Sequence, residues 1–367
     1  MSILDTGVKN ICNVKNVRFG VGAISEVNDI INGFRHNGQS GRAIFLVDHY
    51  FQSKPSNLNA VSPQENDILI YVCSDSEPTT FYVDDLMKKL RAKCSEPAVI
   101  VGIGGGVTLD TAKAVSNLYT NPGSAAEYQG WDLVKKQGIP KVGIPTISGT
   151  GAEATRTCVL SNYDTGLKLG MNSDYSVFDS IILDPDLTAS VPTEQYFYTG
   201  MDAYIHCIES LSGRYRNNLG DAYSDMTLEL CREIFFSDDM KSNDARSNLM
   251  IASYLGGNAI AASYVGLVHP FSAGLSVVLG YHHCIANCIV MLGISEFYPE
   301  YHEEFCRMRD KQNIKIPTGI GKNLSDREHA SLYEATIIHE KPLFNALGDR
   351  YREILTRDKV REIFEGI

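Results

Sequence analysis

The sequence predicts an α/β half followed by an all-α half. Three observations predict it. Short apolar runs of strand length alternate with a helical pattern up to Leu183, the turn Asp184-Pro185-Asp186 then ends that texture, and from Thr193 to about Ser295 the chain reads as long helical segments. Of 367 residues, 44% are hydrophobic and 21% charged, which excludes disordered and fibrous classes and leaves ample chain for a large core. The 33 basic and 44 acidic residues give a net charge of −11, so neither nucleic acid nor an anionic membrane is expected as a partner. No apolar run reaches the roughly 18 residues of a spanning helix. The opening MSILDTGVKNICN lacks the basic and apolar regions of a signal peptide. Nine cysteines, an odd number scattered along the chain, do not form a disulfide framework, so a reduced cytoplasmic protein is expected.

Taken in order, strands are expected at Ala43 to Val47, Ile68 to Val72 and Ala98 to Ile103. Between the last two, Phe81 to Cys94 carries Val83, Leu86, Met87 and Leu90 at helical spacing. Strand, helix and strand joined by crossovers imply a parallel sheet covered on both faces. Val142 to Ile144 is a further short strand. Thr157 to Leu160 and Lys168 to Met171 flank Asn162-Tyr163-Asp164-Thr165-Gly166 as a hairpin, and Ile181 to Leu183 closes the series. Pro192 ends the linker and Thr193 can start a helix. The domain boundary is therefore expected at Asp184, giving domains 1–184 and 185–367.

The strand ending at Ile103 runs into Gly104-Gly105-Gly106-Val107-Thr108-Leu109-Asp110. Glycines let backbone amides approach a phosphate, and the next helix offers its N-terminal dipole. Position 107 is Val, so the usual dinucleotide fingerprint is absent. A second loop, Pro145 to Glu153, is rich in hydroxyls and glycine after another strand. Two such loops at strand C-termini favour a nucleotide.

In the helical half, Asp202 and His206 stand four apart, on one helix face. His269 and His283 are fourteen apart, which on one straight helix separates them by about 21 Å. They converge only if the chain breaks between them, and Pro270, Gly274 and Gly280 allow that. One carboxylate with three imidazoles suits Fe²⁺ or Zn²⁺. His282, Cys284 and Cys288 are nearby competitors, although the cysteine pair at i, i+4 reads first as a buried apolar face.

The stretches GGGVTLDTAK, PTISGTGAE, DPDLTASVP, GMDAYIHCIES, GLVHP and YHHCIAN occur in the order and spacing of the iron-containing (group III) alcohol dehydrogenases, a family the chain resembles from about Val17 to Phe364. The resemblance implies a dehydroquinate synthase-like fold, with an α/β dinucleotide-binding domain and an all-α metal-binding domain. It implies NAD and a divalent metal, Fe²⁺ or Zn²⁺, as cofactors, and a homo-oligomer, most simply a dimer. The family's metal ligands, catalytic through the ion, fall on Asp202, His206, His269 and His283. Its pyrophosphate loop falls on Gly104, Gly105, Gly106 and Val107, with Asp110 on the following helix. Its nicotinamide loop falls on Thr146 and Thr150, and a cofactor-facing lysine on Lys168. Asp48 falls at the adenosine ribose, where a carboxylate repels a 2′-phosphate and favours NAD over NADP. One departure matters. Many members carry a further histidine four residues after the third ligand, and here that residue is Ala273, leaving water, ribose hydroxyls or His282 to move the proton.

Among its members, the chain is most similar to those that oxidise the C8 primary hydroxyl of 3-deoxy-D-manno-octulosonate on the way to lipopolysaccharide. Tyr254, Asn258, Ser263 and Tyr264 fit such a polyhydroxylated acid, and Arg214 and Arg216 are candidates for a carboxylate clamp or a plain solvated surface. The phosphate loops favour a nicotinamide acceptor, with dioxygen as the alternative. A dehydrogenase of another small alcohol or polyol fits the same motifs. A carbocycle-forming lyase of the dehydroquinate synthase type shares GGGV, but it would be expected to carry Glu rather than Asp at position 202. A metal-free binding protein is disfavoured because all four ligand positions are filled.

Overall fold

The computed structural model describes residues 11–35 and 41–367. Residues 1–10, most of the segment read above for a signal peptide, lie outside them. In the first half the elements run β1 (Asn16–Phe19), α1 (Val27–Arg35), β2 (Ala43–Asp48), β3 (Ile68–Val72), α2 (Thr80–Lys93), β4 (Val99–Gly104), α3 (Gly106–Thr120), β5 (Gly130–Trp131), β6 (Lys141–Pro145), β7 (Thr157–Asn162), β8 (Leu167–Asn172) and β9 (Ser180–Leu183). The main sheet has the order β1-β9-β6-β4-β2-β3, with every neighbouring pair parallel. In the second sheet, β5-β8-β7, the expected hairpin is present as the antiparallel pair β7 and β8.

The central strands β2, β4 and β6 are buried along their whole length, which is why they read as unbroken apolar runs. Ile44, Leu46 and Ile100 share a core with Leu109, Ala112 and Val115 of α3. Their neighbours Phe45, Val47, Val99 and Val101 pack on the opposite face with Val27 and Ile31 of α1. Helix α2 starts one residue before the expected Phe81, because the Thr79 hydroxyl caps it by accepting from the Tyr82 amide at 3.0 Å.

From Thr193 onward the described residues form only helices: α4 (Thr193–Ser212), α5 (Asn218–Phe235), α6 (Asn243–Ser263), α7 (Val268–Leu279), α8 (His283–Gly293), α9 (Pro299–Lys311), α10 (Asp326–Ile337), α11 (Glu340–Leu347), α12 (Tyr351–Ile354) and α13 (Arg357–Glu365), apart from one short 3-10 turn. Helix α4 is buried from Tyr196 to Leu211 and packs against α5, α6 and α8. Among the described residues no single helix is long and apolar enough to cross a membrane. Among the described residues no disulfide joins the cysteines.

The two halves meet through the loop after β6. Gly149 has φ +144°, and a Cβ there would fall 1.6 Å from the carbonyl oxygen of Thr199, so glycine lets this loop seat directly on the α4 backbone. Beside it, the Ser253 hydroxyl of α6 donates to Glu153 Oε1 at 2.7 Å.

Lys141, the first residue of β6, is only 2% exposed. Burial pushes its ammonium down to about 8, against the pull of Asp179. The unfolded chain keeps the ordinary value, so between pH 8 and 10.5 it binds more protons than the folded one. Stability therefore rises with pH across that window, and the cost of the buried charge is complete below pH 8. Lys141→Met is expected to stabilise the protein by about 1–3 kcal/mol at pH 7, with the gain fading toward pH 10.5. Urea unfolding at both pH values checks this; an equal change at both would contradict it.

Candidate metal centre and nucleotide cleft

Asp202, His206 and Glu209 lie at i, i+4 and i+7 on α4, one stripe of a helix whose surroundings are otherwise apolar. His269 sits in the first turn of α7, and His283 opens α8. The break expected between them is made by Gly280 alone, which ends α7 at φ +76°. Pro270 lies in the first turn of α7, where proline is tolerated, and Gly274 lies inside the helix against Thr336.

Asp202, His269 and His283 converge, with ligand atoms within 4.8 Å of one another, and His206 stands beside Asp202. Asp202 Oδ1 lies 3.5 Å from His206 Nε2 and 3.4 Å from His269 Nε2, and Asp202 Oδ2 lies 3.6 Å from His283 Nε2. Donors about 2.1 Å from a tetrahedral ion stand about 3.4 Å apart, so the spacing fits a metal better than direct hydrogen bonds. His269 Nε2 is buried with no hydrogen-bond partner, an orphan pointing at the centre. Glu209 Oε2 lies 2.5 Å from His269 Nδ1, while its Oε1 accepts from the Val268 amide. That carboxylate orients the ring and leaves Nε2 for the centre. Asn287 Nδ2 donates to Asp202 Oδ1 at 2.6 Å.

The electrostatics match. Burial opposes the Asp202 charge, yet His206, His283 and His269 hold its carboxyl well below the usual range. Burial pushes His206 down to about 4 and His283 down to about 3, so both are neutral at pH 7. Burial also works against a charged His269, but Glu209 and Asp202 outweigh it and raise the ring to about 9. Of the expected competitors, Cys284 donates to Asp202 Oδ2 across 3.6 Å, its thiol kept protonated by burial, and Cys288 turns to the Tyr198 carbonyl.

A cavity of about 870 Å³ joins this cluster to the sheet. Its wall carries Asp48, Gly105, Gly106, Val107, Asp110, Thr150 and Lys168, together with His206, His269 and His283. Gly104 and Thr146, expected there, are not part of it. Gly104 ends β4, where a Cβ would collide with Thr108 and touch Asp48. Thr146 is buried, its amide donating to the Gly104 carbonyl at 3.1 Å. Asp110 ties α3 to β7 by accepting from the Val159 amide at 2.9 Å, and burial pushes its carboxyl up to about 6. Lys168 Nζ lies 3.1 Å from Glu77 Oε2, whose other oxygen accepts from the His283 amide at 2.8 Å. Glu77 thus ties the lysine to the start of α8. Asp48 Oδ1 is occupied in a turn, accepting from the Tyr50 amide and the Ser74 hydroxyl, each at 3.0 Å.

The matches to known proteins bear directly on this arrangement. The model of the iron-containing alcohol dehydrogenases matches residues 15–185, and that of the family's C-terminal part matches residues 196–334. The chain belongs to the iron-containing alcohol dehydrogenase family. It is similar to sulfoacetaldehyde reductase of Bilophila wadsworthia, at 30% identity over 74% of this chain and 70% of the relative, and to 4-hydroxybutyrate dehydrogenase of Cupriavidus necator, at 31% identity over 71% of each. Its fold is that of sulfoacetaldehyde reductase from Bifidobacterium kashiwanohense, solved with NAD+ (TM-score 0.78, 21% identity, 97% of this chain and 98% of that one). As an iron-containing alcohol dehydrogenase it is a metal-dependent alcohol oxidoreductase using a divalent metal and NAD.

In this iron-containing alcohol dehydrogenase several expected substrate groups are elsewhere. Asn258 and Ser263 are buried and donate to carbonyls four residues back, Tyr254 and Ala259. Neither lines the cavity, nor do Tyr254, Arg214 or Arg216. Arg216 pairs with Asp221 at the surface, and Arg214 lies over the Phe344 ring. Tyr264 does line it, as do Ala273, His282 and His339. Glu77, Glu209, Asn287 and His339 were not anticipated from sequence. Of these, only Glu209 carried a signal, its i+7 spacing from Asp202.

His269→Ala or His283→Ala is expected to lose the metal and turnover while staying folded by circular dichroism. Glu209→Gln, which keeps every candidate ligand, is expected to weaken metal affinity about 10- to 100-fold in chelator competition. Wild-type occupancy in all three would contradict the centre. NAD is expected to bind about 5- to 160-fold tighter than NADP, with Asp48→Ser narrowing the gap, because a 2′-phosphate against a carboxylate costs about 1–3 kcal/mol. Equal affinities measured by titration calorimetry would remove Asp48 from the ribose.

Proposed function

We propose that this enzyme oxidises a primary hydroxyl of a small, acidic, polyhydroxylated substrate to the aldehyde with NAD as hydride acceptor. We assign the substrate as 3-deoxy-D-manno-octulosonate, oxidised at C8 in lipopolysaccharide sugar synthesis. The observation that carries the reaction is that three candidate ligands, His206, His269 and His283, and Gly105, Gly106 and Val107 of the glycine-rich turn open onto one cavity. A bound divalent ion lowers the pKa of a hydroxyl by several units, and a nicotinamide takes the hydride.

The chain's own residues position these parts. Asp202, His206, His269 and His283 would hold the ion, with Glu209 keeping the His269 ring in place. Gly105, Gly106 and Val107 offer the N-terminus of α3 to the pyrophosphate, and Asp48 faces the ribose. Lys168, steadied by Glu77, and Thr150 line the same cavity and are assigned to the nicotinamide side. The acidic substrate is supported by the motif resemblance and by two relatives named for a sulfonate and a carboxylate. The buried Asn258 and Ser263 lend it nothing.

Turnover of the sugar acid is expected to exceed that of 1-propanol or 1-butanol by about a hundredfold or more in kcat/KM, with NADH formed and the aldehyde trapped by hydroxylamine and located at C8 by mass spectrometry. Equal turnover of the simple alcohols would overturn the substrate and leave the reaction class.

A further inference from the structure

One end of the cavity is built by residues that the proposed chemistry leaves unused. Trp131, the chain's single tryptophan, stands on β5; Tyr264 follows α6; Lys341 lies in the first turn of α11. All three line the cavity. The Trp131 and Tyr264 rings meet edge to face at 5.1 Å, and Tyr215 packs on Tyr264 from outside at 5.2 Å. Lys341 Nζ sits 4.0 Å from the Trp131 ring centroid and 5.7 Å from that of Tyr264. Tyr264 holds φ +67°, a strained conformation for a non-glycine residue and one the surrounding rings keep in place.

The charges around this end are unequal. Arg156 lines the same wall but bridges Asp132 and Asp174, the latter at 2.8 Å. Lys168 is matched by Glu77, and Glu340 turns to Arg352. Lys341 alone among these cations forms no ion pair or hydrogen bond among the described residues; its ammonium rests on two aromatic faces. A half-buried ammonium held by π-faces keeps its N–H donors free for an incoming anion. The placement is suited to the reaction. Trp131, Tyr264 and Lys341 line the same cavity as the candidate ligands His206, His269 and His283.

We propose that Lys341, stacked on Trp131 and Tyr264, anchors the anionic end of the substrate, a carboxylate or sulfonate, while the hydroxyl to be oxidised lies at the metal end of the same cavity. The two rings offer apolar faces to the C–H surface of the substrate between those ends. This rests on the acidic-substrate reading above and adds the residue that enforces it.

The test compares ω-hydroxycarboxylates from four to eight carbons with 1-alkanols of matched length, using metal-loaded enzyme and NAD. In the unaltered enzyme the preferred acid should exceed its alkanol at least tenfold in kcat/KM. Lys341→Met should reduce that ratio at least tenfold, chiefly through the KM of the acid, and Lys341→Arg should restore much of it. Lys341→Glu should turn the preference toward an ω-amino alcohol, a gain that misfolding would not produce. An acid preference that survives Lys341→Met and Lys341→Glu overturns the anchor and leaves the acidic-substrate reading standing. No acid preference in the unaltered enzyme overturns both.

Discussion

The structure depends on one costly act, the complete burial of the Asp202 carboxylate within α4. An isolated carboxylate in an apolar core loses several kcal/mol of hydration, so it persists only where positive or hydrogen-bonding groups surround it. His206, His269, His283 and Asn287 are those groups, brought by α4, α7 and α8. Glu209 and Asp202 flank the His269 ring and outweigh the burial that opposes its charge. A divalent ion at the proposed centre would supply more positive charge to the same carboxylate.

Two backbone devices make the convergence possible. Gly280 lets the chain leave α7 in a left-handed turn and re-enter a helix at His283, so that two residues fourteen apart meet across one point instead of standing about 21 Å apart. Gly149 lets the loop after β6 lie directly on α4, bringing the sheet's ligand-binding edge to the helices. Glu77 completes the link from the sheet side. It joins Lys168 of β8 to the first amide of α8, tying the sheet side of the cavity wall to a candidate ligand.

The sheet, the hairpin and the candidate ligands were legible because each has a local signature: continuous apolar runs, a turn between β-rich segments, and donors at helical spacing. The first strand was not. Asn16–Phe19 is mostly exposed at a sheet edge and has no apolar alternation to announce it. Polar residues on α6 misled for a definite reason. In a helix the hydroxyl of Ser263 and the side-chain N–H of Asn258 can donate to carbonyls four residues back, so polarity near a site need not face it. Glu77, Asn287 and Lys341 were silent because their meaning comes from partners far along the chain: Glu77 meets His283 across 206 residues.

The most direct measurement is X-ray absorption on the purified, metal-loaded enzyme at the edge of its bound ion. The account predicts one ion per chain with only oxygen and nitrogen neighbours at about 2.0–2.2 Å, three of them imidazoles. It also predicts that His283→Ala removes one imidazole from that shell. A sulfur neighbour at about 2.3 Å would place Cys284 or Cys288 on the metal and contradict the centre described here.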